Sequence, residues 1–288
     1  MGFIQDRLNK PGPGVEKDAP PKKGFARFWE VVSRDYLDIM KANLFTLLIF
    51  IPSLTFVVLY FMGEVRSLWF LVFAWLLAIP ASPAVCAQIS VTAKMLRDIP
   101  GFIWRDYKRA YKSCFKQSCI FFSVWIPAAA LLCYAIYDGV FSAEGANLLL
   151  MCSFIIALIT LFSLFLFTCA QIAMVKLPLG TMIKNALILT IGRAGRALIG
   201  ILLVLLTAAA IILFIPYSGL FVLFGVPGFI LLIILMILWP ALGLLISSES
   251  ENNSEANVSE EAAEPKSFED SDEEAVQNIG TEADSDNN

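Results

Sequence analysis

Histidine is absent from all 288 residues. Its absence removes the commonest general base, the commonest transition-metal ligand and every catalytic triad built on an imidazole. No glycine-rich phosphate loop is present, neither G-x-x-x-x-G-K followed by Ser or Thr nor G-x-G-x-x-G after a strand. The six cysteines, Cys86, Cys114, Cys119, Cys133, Cys152 and Cys169, form no CxxC and stand in or beside apolar runs. There they read as small apolar packing residues. Charge is scarce, at 16% of residues against about a quarter in a soluble domain. The long apolar runs hold no Asp, Glu, Lys or Arg at all. Ion-coupled carriers keep such residues inside the bilayer, so this absence argues against a proton-coupled carrier. The sequence therefore predicts a non-enzymatic chain with no catalytic, cofactor-binding or metal-ligating residues and no nucleic-acid partner.

What remains is apolar, at 58% of residues, and concentrated. Ala42–Met62 is a 21-residue run without a charge, long enough at about 1.5 Å per residue to cross a hydrocarbon core of roughly 30 Å. Leu68–Ile89, Cys119–Tyr137 and Asn147–Met174 are likewise uncharged. Ala197–Ser247 is too long for one crossing and is read as two helices. Pro216-Tyr217-Ser218-Gly219 is the turn, with Pro227-Gly228 as its rival. The fold class expected is all-α, a polytopic membrane helix bundle of six spans. The first run follows about forty polar residues, unlike a secretory signal peptide. It is therefore expected to be retained.

Lys and Arg resist translocation and set orientation. Residues 1–41 carry eight of them, the 90–118 loop seven, and the loop from Lys176 to Arg196 four; Arg66 alone falls on the other side. The expected arrangement is a cell-membrane protein with both termini cytoplasmic. It divides into an N-terminal segment 1–41, a transmembrane domain 42–247 and a tail 248–288. The tail holds fourteen Asp and Glu against Lys266 alone, which predicts disorder. It is read as a solvated acidic tail, or as one that meets the basic cytoplasmic surface or a basic partner.

An amphipathic cytoplasmic segment precedes each hairpin of spans. Phe25, Phe28, Trp29, Val32, Tyr36 and Ile39 recur at helical spacing before the first. Before the second, Trp104, Tyr107, Tyr111 and Phe115 form an aromatic stripe beside the basic Arg105, Lys108, Arg109, Lys112 and Lys116. That pattern predicts a helix at the headgroup level of a lipid bilayer, against anionic lipids. The third segment is Met182–Arg196. Arg-Asp-Tyr occurs at 34–36 and 105–107, and Cys-Ala-Gln-Ile at 86–89 and 169–172. Both matches are consistent with a triplicated helix-plus-hairpin unit. Pro80-Ala81-Ser82-Pro83 is expected to interrupt the second span, and with Gln88 it marks a broken-helix site of the kind that lines transporter pathways. Kinks used for packing are the alternative.

Gly12-Pro13-Gly14-Val15-Glu16-Lys17-Asp18-Ala19-Pro20, then Lys22-Lys23-Gly24-Phe25, resembles the amino-terminal stretch of members of the YesL-like family of bacterial membrane proteins. The resemblance continues at Pro83-Ala84, through Lys94-Met95-Leu96-Arg97-Asp98-Ile99-Pro100-Gly101-Phe102-Ile103-Trp104-Arg105-Asp106-Tyr107, and at Thr181-Met182-Ile183-Lys184-Asn185-Ala186-Leu187. It covers roughly residues 10–245 and leaves the acidic tail as an addition. Members come mostly from Gram-positive bacteria and are often encoded beside sugar ABC-transporter and glycan-degradation genes. The resemblance thus implies an accessory or regulatory component of carbohydrate uptake, with a sugar ABC-transporter permease as partner. A stand-alone transporter or channel for a small solute is the alternative. The family's activity is not established, so the resemblance assigns no functional residue.

Overall fold

The structure, a computed structural model, describes residues 24–63, 67–141, 148–175, 177–214, 219, 222 and 225–243. Among these residues there are seven helices and no strand. They are α1 Phe25–Met62, α2 Leu68–Leu96, α3 Ile103–Phe141, α4 Leu148–Met174, α5 Leu179–Gly192, α6 Ala194–Leu213 and α7 Val226–Gly243. All except α5 are long and apolar enough to cross a membrane. The chain divides into the units Met1–Leu242 and Gly243–Asn288, and the acidic tail lies outside the described residues.

The amphipathic segment before the second hairpin runs on into its span, and the one before the first is joined to its span across a kink at Asp35. α1 has 38 residues and α3 has 39, so each is about 57 Å long, nearly twice a hydrocarbon core of roughly 30 Å. No Gly or Pro stands between amphipathic stretch and apolar run in either, and nothing ends the helix there. α1 is kinked within its amphipathic stretch, at Asp35 (φ −112°, ψ 20°). In the third unit Gly192 and Arg193 do interrupt the chain, leaving α5 as a helix of its own and placing Arg196 in α6. The rival turn Pro227-Gly228 lies in the first turns of α7 instead of between α6 and α7. The Pro216 turn falls mostly outside the described residues.

α2 is the axis of the packing, and it is continuous through Pro80 and Pro83; the expected interruption does not occur. Pro83 has no N–H to donate to the Ile79 carbonyl. That carbonyl is satisfied instead by the Ser82 hydroxyl at 2.7 Å and the Cys119 thiol at 3.3 Å. The buried face of α2 is built from small residues, Ala74, Ala78, Ala81, Ser82, Ala84, Cys86 and Ala87. Small side chains let neighbouring backbones approach, the main source of helix association where lipid is as apolar as the core. Ser53 Oγ donates to Ala74 O at 2.8 Å, and the Thr46 and Tyr107 hydroxyls pair at 2.9 Å. Thr46→Val is expected to cost about 0.6 kcal/mol in mixed-micelle unfolding, the average for such a bond in a membrane protein; a loss well above about 1.7 kcal/mol would contradict that.

α7 approaches α1 and α2 closely at Gly228: a Cβ there would stand 3.1 Å from Ile39 Cγ2 and 3.4 Å from both Asn43 Cβ and Gln88 Nε2. Just before it, Gly225 takes φ +87°, a conformation that L side chains rarely adopt.

Candidate functional site

At the end of the bundle where α1 begins, α2 ends and α3 begins, a cleft of about 320 Å³ opens. We call this the basic end, since Lys94 and the basic residues of α3 lie there. The charged lining consists of Arg34, Asp35, Asp38, Lys94, Asp98 and Asp106. Each carboxylate has a cationic partner. Asp35 accepts from Arg34 at 2.7 Å and Asp38 from Lys41 at 3.1 Å, and Asp106 forms an ion pair with Lys94 at 3.3 Å. Asp98 accepts from both Arg34 and Arg27. Hydrogen bonds from Arg34 and then from Arg27 hold the Asp98 carboxyl below the usual carboxylate range, against the opposing effect of burial.

Local sequence explains the cleft's floor. α2 ends in a Schellman turn, with Asp98 N–H donating to Met95 O at 3.2 Å and Ile99 N–H to Lys94 O at 3.1 Å. The position after the cap needs a positive φ, normally glycine's role; here Asp98 fills it with φ 58°. Pro100-Gly101 then turns the chain into α3. A Cβ on Gly101 would fall on the Asp106 carboxylate. Glycine therefore lets the turn close over that nearly buried side chain. Asp106 lies in the first turn of α3, where the helix dipole favours a negative charge.

The expected membrane-surface residues divide. Trp104 is 60% exposed and sets its ring edge against Phe45 at 5.0 Å. Arg105, Lys108, Arg109 and Lys112 are exposed. Tyr107 and Tyr111 depart from the expectation and turn inward onto α2. Tyr107 is 2% exposed and donates to Ala84 O at 3.3 Å, while Tyr111 donates to Pro80 O at 2.7 Å. Both belong to the face that carries the buried Ala110 and Cys114. Their phenol groups reach across to carbonyls of the proline-containing stretch of α2. Of the expected broken-helix residues, Pro80 is exposed and Pro83 and Gln88 are buried; the three do not converge on one cavity.

The sequence reading missed the cleft because it took Lys and Arg as topology and headgroup markers and did not pair them with Asp. The doubled Arg-Asp-Tyr was the available signal, since it supplies Arg34, Asp35 and Asp106. A second polar feature lies deeper. Both copies of Cys-Ala-Gln-Ile are buried, and among the described residues both amide atoms of Gln171 and the hydroxyl of Thr168 have no hydrogen-bond partner. The cavities between spans are mostly apolar: one lies among Leu203, Leu206, Ala210, Phe214, Val226 and Ile230, another among Val57, Leu71, Val72, Ala78, Ile126 and Ala130. No protein-family model, curated protein or solved structure matches the chain.

Proposed function

We propose that this membrane protein is an accessory or regulatory component of carbohydrate uptake in the bacterial cell membrane. It works through a partner at its basic end, which faces the cytoplasm together with both termini. The carbohydrate link rests on the YesL-like resemblance. The observation that supports an accessory role over transport is the distribution of polar chemistry. Charged groups gather in the cleft and on the exposed face of α3, whereas the inter-span cavities are mostly apolar and α2 is unbroken. Exposed Arg105, Lys108, Arg109 and Lys112 beside Trp104 suit anionic headgroups around such a partner. A native pull-down through a tag on the tail, from cells grown on plant polysaccharide and on glucose, tests the reading. Stoichiometric recovery of a sugar ABC-transporter permease on the polysaccharide is expected. Recovery of this chain alone in both conditions would overturn it.

A stand-alone transporter is the second reading, favoured by the buried, unpartnered Gln171 and Thr168, which offer polar groups inside the bundle. Purified protein in proteoliposomes would then move a small solute. No flux across a broad sugar and metabolite panel would rule this out.

A further inference from the structure

We propose that residues 25–34, the first turns of α1, form a hinged arm that the Asp98 side chain latches across the charged cleft. This stands independently of the accessory reading. The hinge is Asp35, the residue within α1 whose backbone leaves helical geometry. The latch is a single carboxylate that takes the guanidinium groups of both Arg27 and Arg34. Each arginine also donates to the end of α2, Arg27 to Leu96 O at 2.9 Å and Arg34 to Met95 O at 2.8 Å. The arm is therefore tied down by two arginines on one face, about two helical turns apart, and both ties converge on the turn that Asp98 occupies.

The choice of residue at that turn supports the assignment. A glycine would adopt φ 58° with less backbone strain than aspartate. What aspartate adds is the carboxylate, and it is spent on the two arm arginines. The arm's outer face is open, with Phe25 78% and Trp29 63% exposed, while its inner face packs through Val31, Phe28 and Val32. Asp98 is half-exposed, so the latch is open to screening by salt and to competition from a partner's basic group. Release about Asp35 moves Arg34 and widens the cleft it lines.

Hydrogen exchange of the full chain in lipid nanodiscs tests this. Asp98→Gly keeps a residue suited to the turn and removes the carboxylate. Amides of 25–34 are expected to exchange at least tenfold faster in this variant than in the parent. The same acceleration is expected in the doubly substituted Arg27→Gln, Arg34→Gln protein and in the parent at 1 M salt, while residues 84–92 and 165–172 keep their protection. Unchanged exchange of 25–34 in Asp98→Gly overturns the latch. Loss of protection across 84–92 in both substituted proteins also overturns it, because the ion pairs would then be holding the end of the bundle as a whole.

Discussion

Phe167→Ala is expected to lower the unfolding free energy by about 3 kcal/mol in detergent micelles, the largest single effect in the bundle. Phe167 is fully buried in the cluster that joins Cys86, Phe121, Phe122 and Leu235. Removing its ring loses little transfer energy in a membrane setting, since the lipid-facing reference is equally apolar. The cost is the cavity, because packed neighbours relax only partly and lose their contacts outright. The control is Leu202→Ala at a position 65% exposed, where a change within about 0.5 kcal/mol is expected. Equal losses at both positions would show that burial in this structure does not rank the energetics.

Lys94→Met is expected to cost about 2 kcal/mol, roughly 5 °C in Tm. It leaves the Asp106 carboxylate, nearly buried and closed over by Gly101, without its cation. A fully buried pair would cost more on losing one partner, but Lys94 is partly exposed and water offsets some of the loss. Adding Asp106→Leu to Lys94→Met is expected to recover most of the stability, since the uncompensated charge is then gone. A double variant as unstable as the sum of the singles would show that the pair's charge is not what matters. The same measurement has a functional side, because Lys94 and Asp106 form one wall of the cleft. Partner recovery in the pull-down should fall in the double variant even where its stability returns.

The two estimates draw on different forces. Phe167 acts through packing density deep in the bundle, and Lys94 through the cost of a charge at the edge of water. The cleft lies where those regimes meet. Its carboxylates are buried enough to need partners and exposed enough for those partners to be exchanged.

Much of the architecture was legible in the chain. Uncharged runs such as Ala42–Met62 and Leu68–Ile89 are too long and too apolar for anything but helices suited to a bilayer, because backbone polar groups in hydrocarbon must be satisfied within the segment. The prolines of α2 were misleading. Local rules predict a break at Pro80-Ala81-Ser82-Pro83, yet Ser82 and Cys119 satisfy the freed Ile79 carbonyl and the helix continues. Ser82 belongs to the motif itself, but the Cys119 thiol comes from α3, which no local reading includes.

The sequence by itself determined the number of the apolar helices and the segregation of basic residues to alternate inter-span segments. These are properties of single segments measured against the thickness and dielectric of a bilayer. Only the tertiary structure decided which charges meet. Asp98 stands 64 residues from Arg34 and 71 from Arg27 along the chain, and their pairing depends on the angle at which α2 returns beside α1. It likewise decided that Tyr107 and Tyr111 face α2 instead of lipid. An aromatic stripe on a helix has the same spacing in either case, and the carbonyls left accessible on the neighbouring helix determine which way the hydroxyls turn.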